Sequence, residues 1–329
     1  MILTQTPYRM SFFGGGTDYP NYYAQNGGQV LSTTFNKYCY ISCRKLPPFF
    51  EHKHRIVYSL VEDIIRISDI KHPAVRAILS EFETEHGLEI HHDGDLPARA
   101  GLGSSSSFVV GLIHALRAMN GQISSKKFLA DEALRIEQDV LAETVGSQDQ
   151  IAAAYGGFNN IIFNTDKSYV VRPVIAKKKR LSDLNQNLML FFTGLTRFAS
   201  EIAKHQVNKT AENNSSLHLM SEQVDEALSI LASSTQSLDD FGELLDDAWQ
   251  LKKGLSDKIS SSIVNEIYEA ARSNGALGGK LLGAGGGGFI LLYAKPEMQN
   301  KIKEALHQLI HIPFKFESSG STISIYQPE

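Results

Sequence analysis

Three glycine-rich segments lie far apart in the chain: GGGTDY at 14–19, GLGSSSS at 101–107 and GAGGGG at 283–288. Clustered glycines let successive backbone N–H groups turn toward an anion without side-chain obstruction. A fold that uses all three for one phosphate site must gather pieces from both ends of the chain. Gly283, Gly285 and Gly288 satisfy the letters G-x-G-x-x-G, but a dinucleotide fingerprint needs a strand before it and a helix after it. The strand-like run FILLYA follows instead, and no G-x-x-x-x-G-K-[ST] loop occurs. The second segment is the better phosphate candidate. Val109, Leu112, Ile113 and Leu116 recur at helical spacing and Asn120-Gly121 supplies a stop, so Ser104–Ser107 open a helix. A helix N-terminus offers unpaired N–H donors and partial positive charge to phosphate. The alternative is a serine-rich cap on a flexible loop, although four serines exceed what one cap needs.

A chain of 329 residues is long enough for two domains, and 42% hydrophobic with 21% charged residues suits a globular protein. A formal charge of −4 gives no reason to expect nucleic acid, and the basic run KKKR at 177–180 reads as a solvated linker. Cys39 and Cys43, four apart in a β-like run, fall on one side of a strand as small apolar residues, which suits a reducing compartment. The N-terminus lacks a signal-peptide pattern and no apolar run reaches membrane-spanning length, so the expectation is cytoplasmic with no membrane partner. The first third reads as β-rich. A second helix is expected from the Ser124-Ser125 cap to about Leu141, and strands at GGFNNIIFN and SYVVRPVIA. The polar run KKKRLSDLNQN then suggests a boundary between domains 1–180 and 181–329. The second half reads as helical from Arg197 to about Ser273. Strand, helix and strand segments then alternate to the end, which predicts an α+β domain with an antiparallel sheet. HKH at 52–54 and His91-His92 lack companions at zinc spacing and read as surface features.

TPYRMSFFGGGTDY, LPARAGLGSSSS and GGKLLGAGGGGF resemble, in order, the three motifs of the GHMP kinases. That resemblance implies an α+β fold with an N-terminal domain like ribosomal S5 domain 2 and a ferredoxin-like C-terminal domain. It also implies ATP and Mg2+ as cofactors. ETVGSQDQIAAAYGGFN is similar to the galactokinase stretch that carries the catalytic aspartate. Galactokinases, however, place Glu-His where this chain has Gly15-Gly16. GGGTD together with FFTGLTRFASEI resembles the D-glycero-D-manno-heptose 7-phosphate 1-kinases. Two glycines in place of Glu-His free space and remove negative charge, which suits a longer, phosphorylated sugar.

The resemblance assigns roles residue by residue. Asp149 orients or deprotonates the acceptor hydroxyl with Arg9 beside it, and Ser105 and Glu137 hold Mg2+. Gly15, Gly16, Thr17, Asp18 and Arg197 meet the sugar phosphate. Gly101, Leu102, Gly103, Ser104, Ser105, Ser106, Lys280, Gly283, Gly285 and Gly286 meet ATP. Taken without the resemblance, Asp149 reads as a turn aspartate, Glu137 as a solvated helix carboxylate and Asp18 as a turn-stabilising residue. Gly283–Gly288 would be a packed turn, and Arg197 the partner of a helix carboxylate. The implied activity is transfer of phosphate from ATP to the anomeric hydroxyl, giving a heptose 1,7-bisphosphate. A kinase for another sugar, galactokinase-like, and a non-catalytic sugar and ATP sensor are the alternatives.

Overall fold

The computed structural model describes residues 1–82, 84, 86–98, 100–195, 199–210 and 212–328, with only the backbone described at 199–201, 206 and 208. Its spine is an antiparallel pair, β1 (Ile2–Phe13) and β2 (Gly28–Leu46), running from Ile2 opposite Cys43 to Phe13 opposite Leu31. β-Branched and aromatic residues recur along both strands, as a sheet with buried faces favours. The far edge of β2 is long enough to take three partners in succession. They are β6 (Phe158–Phe163), β12 (Phe316–Glu317) and β5 (Gly87–Gly94). β3 (His54–Val57), β4 (Val61–Ile64) and β7 (Tyr169–Pro173) extend the sheet, and β13 (Thr322–Tyr326) closes the other edge of β1.

Helix α3 (Ser104–Met119) lies on β1 and β2 and is apolar nearly all round, as a central buried helix must be. Gly111 allows the close approach, since a Cβ there would lie 2.9 Å from Thr6 Oγ1. α4 (Lys126–Leu134) starts where expected, with Ser125 Oγ accepting from Phe128 N–H at 3.1 Å. It then widens into a π-turn over Arg135–Val140, a rare geometry that tends to mark functional sites. The neighbouring helices are α1 (Pro20–Asn26), α2 (Pro73–Glu81) and α5 (Gln148–Tyr155).

The second sheet has the order β11 (Ile310–Ile312), β8 (Leu188–Phe192), β10 (Phe289–Tyr293), β9 (Gly278–Leu281), all antiparallel. In chain order this is 4-1-3-2, the ferredoxin-like arrangement. Helices α7 (Ala199–Asn208), α8 (Asn214–Ala232), α9 (Asp239–Gly254) and α10 (Ser262–Ser273) fall between β8 and β9, and α11 (Pro296–Ala305) between β10 and β11. Along β10, Phe289, Leu291 and Tyr293 join the core shared with the large sheet, while Ile290 and Leu292 face a second core containing Trp249 and Tyr268. Burial on both faces explains the unbroken apolar run FILLY.

Several expectations change. KKKR at 177–180 is no linker: α6 (Lys178–Asn187) begins within it, and Arg180 Nη2 donates to Gln236 O at 2.9 Å and to Ile230 O at 2.6 Å. FKFE and STISIY do not extend the C-terminal sheet but return to the large one as β12 and β13. A cut at 180/181 therefore separates these strands from the sheet they complete. The histidines are not all surface features. His54 is buried and its Nδ1 accepts from Leu88 N–H at 3.3 Å, while His92 packs edge-on against Phe108. Both cysteines are buried and unbridged. Among the described residues no helix is long and apolar enough to cross a membrane.

The contact of α9 with β9 depends on absent side chains, because a Cβ on Gly278 would lie 1.9 Å from Gly242 O. Gly278→Ala is expected to lower unfolding free energy by about 1–3 kcal/mol in urea titration. Gly254→Ala has open space around its Cβ and no positive φ, and is expected to gain up to about 1 kcal/mol.

Candidate active site

The first glycine segment follows directly from β1. Gly14 and Gly16 have φ of +79° and +113°, and a Cβ on Gly14 would lie 1.9 Å from Gln29 O. Thr17, expected at the sugar, is committed to building this turn. Its Oγ1 lies 2.8 Å from Gly14 O and 3.0 Å from Gln29 O and accepts from Gln29 N–H at 3.1 Å. Asp18 is buried. Its Oδ1 accepts from Gly16 N–H at 2.9 Å and its Oδ2 from Gln148 Nε2 at 2.9 Å. Burial pushes its pKa up, the Gly16 and Gln148 hydrogen bonds oppose the rise, and the nearby Asp149 charge adds to it. Asp18 thus serves as a turn residue and also as the partner of the side chain next to Asp149.

Arg9 comes from the middle of β1 and Asp149 from the first turn of α5, and the structure joins them. Arg9 Nε donates to Asp149 Oδ1 at 2.7 Å and Nη2 to Oδ2 at 2.8 Å, a fork-to-carboxylate pair. Its remaining amino group, Nη1, donates to Gly101 O at 2.7 Å, and its backbone N–H donates to Leu102 O at 3.1 Å. The second glycine segment therefore rests on the pair. A Cβ on Gly103 would lie 3.3 Å from Arg9 Cγ and 3.4 Å from Asp149 Cγ. Gly103, at φ +75°, delivers the chain into α3, so the N–H groups opening that helix lie beside Asp149.

Ser105 and Glu137 were expected as partners. Ser105 is instead exposed, and it is Ser106 whose Oγ donates to Glu137 Oε2 at 2.9 Å. A helix turns successive residues by about 100°, so an exposed serine places the next one inward. Glu137 sits in the π-turn, buried rather than solvated, with Gln150 Nε2 also donating to Oε2. Its Oε1 finds no hydrogen-bond partner among the described residues. Burial pushes its pKa up to about 8 against the Gln150 and Ser106 hydrogen bonds, with Glu143 and Asp149 adding to the rise. No group of three or more His, Cys, Asp or Glu among the described residues could hold a metal ion.

The third segment closes against the second. A Cβ on Gly283 would lie 2.4 Å from Gly101 Cα, one on Gly101 2.4 Å from Leu282 O, and one on Gly288 2.3 Å from Ala100 O. Gly285 packs on Ile259, and Gly286, at φ +78°, donates its N–H to Ile259 O at 2.9 Å. Lys280 is not on this loop. It is buried in β9, and its Nζ donates to Phe12 O at 2.6 Å. The lysine at the loop is Lys252 of α9, which no motif flagged, donating to Gly283 O and to Leu281 O. Gln148 and Gln150, on either side of Asp149, were also overlooked although QDQ spells them out. Gly15 lies near Ser11 Oγ and Gln148 Nε2. Arg197 lies outside the described residues.

Glycine loops on a helix N-terminus, beside an arginine-paired aspartate and a buried glutamate, define a small-molecule kinase. Residues 69–157 match the family model described as GHMP kinases N terminal domain and residues 219–311 that of GHMP kinases C terminal. The chain belongs to the GHMP kinase family, whose fold it has, and is an ATP-dependent kinase. It is 31% identical over 319 residues to the D-glycero-alpha-D-manno-heptose 7-phosphate kinase of Campylobacter jejuni, with 93% of each chain covered. Among solved structures it resembles a D-glycero-D-manno-heptose 1-phosphate kinase from Bacteroides thetaiotaomicron with a TM-score of 0.74 at 23% identity, covering 99% of this chain and 100% of the other. It also resembles a putative sugar kinase from Campylobacter jejuni at 0.69 and 26%, covering 98% and 97%.

Glu137 supplies a pH signature. Its folded pKa of about 8 exceeds the ordinary 4.5, so the folded chain binds more protons than the unfolded one between those values. The contribution of Glu137 to stability is therefore full below about pH 4.5 and is lost as pH rises toward about 8. Glu137→Gln is expected to flatten this dependence and to be more stable than the parent at about pH 8 but not at about pH 5, read by urea unfolding without nucleotide or metal.

Proposed function

We propose that the protein transfers the γ-phosphoryl group of ATP to the anomeric hydroxyl of D-glycero-D-manno-heptose 7-phosphate, giving the 1,7-bisphosphate, in the cytoplasm and with Mg2+. The observation that carries the reaction is the Arg9–Asp149 pair lying against Gly103 at the N-terminus of α3. A hydroxyl between Asp149 and phosphates on the glycine loops is positioned for in-line attack. Its oxygen bonds to the γ-phosphorus, the bond to the bridging oxygen breaks, ADP leaves, and the hydroxyl proton passes toward Asp149. Arg9 keeps Asp149 oriented and offsets charge developing on the transferred group.

The residues fit Mg2+, an ion that keeps several waters and takes one or two carboxylates plus substrate phosphates. Glu137, with its unpartnered Oε1, and Ser106 would hold it. The ion would neutralise charge on the phosphates. The heptose phosphate assignment is supported by the likeness to the Campylobacter jejuni kinase over 93% of the chain and by Gly15-Gly16 at the acceptor side.

ADP release is to be measured with ATP and Mg2+ against D-glycero-D-manno-heptose 7-phosphate, mannose 6-phosphate, galactose and mevalonate. Turnover confined to the heptose phosphate is the expected result. Turnover with another acceptor would keep the kinase and replace the substrate, and none at all would sink the proposal. Asp149→Asn is expected to reduce kcat by about 10²–10⁴ while ATP still binds.

A further inference from the structure

Lys252 plays no part in that transfer scheme, yet it touches the site. It lies in the last turn of α9 at 5% exposure. Its Nζ donates to Leu281 O at 3.3 Å and to Gly283 O, the carbonyls that bracket the exit of the chain from β9 into the third glycine loop. Burying an ammonium is costly even among acceptors, and a methionine would fill the same space without that cost.

We propose that Lys252 is a positioning residue for ATP: it fixes the carbonyls of Leu281 and Gly283, and so holds the third glycine loop against the second and, through Gly101 O, steadies Arg9. Each link is short. Gly283, at φ +74°, backs onto Gly101 so closely that neither tolerates a Cβ, and Gly101 O accepts from Arg9 Nη1 at 2.7 Å. This assignment rests on the use of ATP and not on the acceptor.

The charged groups around Lys252 are Arg9 from β1, Asp18 from the first glycine segment and Lys280 from β9. Burial, reinforced by Arg9 and opposed by Asp18, brings Lys252 down to about 8 from 10.5. Between those values the unfolded chain holds more protons, so folding stability rises with pH while Gly283 O loses its charge-assisted donor. A residue that only fills space would not couple a gain in stability to a loss of nucleotide binding.

The test is calorimetric titration of the full chain with ATP and Mg2+. Failure of the parent protein to bind would overturn both the kinase reading and this proposal. Given binding, Lys252→Met is expected to keep Tm at or above the parent and to bind ATP about ten-fold more weakly, a loss of about 1.4 kcal/mol. Lys252→Gln, which retains N–H donors, should recover part of that loss. Parent affinity should fall as pH passes about 8, and that fall should be absent in Lys252→Met, where ionisation of Glu137 acts alone and in the opposite direction. Equal affinity and equal pH dependence in the two proteins would overturn the proposal. Should Lys252→Met fail to fold, amide exchange of the parent decides it. Loss of protection at 284–288 relative to α3 as pH passes through the same range supports the clamp, and unchanged protection rejects it.

Discussion

The backbone contact between Gly101 and Gly283 is the constraint on which the rest of the site depends. Gly101 belongs to the loop that opens α3 on the large sheet, and Gly283 to the loop leaving β9 on the small one. Contact at this distance permits no side chain on either residue, so two glycines fix how near the two sheets can come. Arg9 then uses the junction. One guanidinium ties β1 to the second glycine segment and to α5, with Gly101 O as one of its acceptors.

Charge is arranged around this junction in a way that suits a polyphosphate ligand. Asp18 and Glu137 are both buried and both resist ionisation, while Arg9, Lys252 and Lys280 bring cationic groups into the interior beneath the glycine loops. Buried cations repel one another, which is why burial and mutual repulsion together drive the lysines down. An anionic ligand at the loops relieves that repulsion. The α3 N-terminus adds its own partial positive charge on the same side.

The sequence announced the parts of the site that are carried by backbone chemistry. Glycines at positive φ and a serine run opening an apolar helix have local signatures. What it concealed depended on direction or on distant partners. Ser105 and Ser106 are indistinguishable as letters, and only helix phase decides that the second faces Glu137. Lys280 stood in a motif but points away from the loop toward Phe12 O, because it occupies a strand position whose side chain faces β1. Lys252, 31 residues upstream of the Gly283 carbonyl it touches, had no local signal. In the fold, LMLFF at 188–192 was a short apolar run hidden between helices. The return of β12 and β13 to the large sheet follows from vacant edges on β1 and β2 that a linear reading cannot see.

Gly15 shows how a missing side chain shapes the space beside Ser11 and Gln148. A Cβ there would lie 3.6 Å from Ser11 Oγ and 3.9 Å from Gln148 Nε2, so any larger residue would cover both. Ser11 Oγ and Gln148 Oε1 find no hydrogen-bond partner among the described residues, which leaves polar capacity close to the Arg9–Asp149 pair. A glutamate at this position would add a third carboxylate beside Asp18 and Asp149, where burial and then the Asp149 charge already raise the Asp18 pKa. Such a site would disfavour a second phosphate on the acceptor by like-charge repulsion. Glycine removes that penalty and the bulk together, and both changes favour an acceptor that is longer and more negative than a simple hexose.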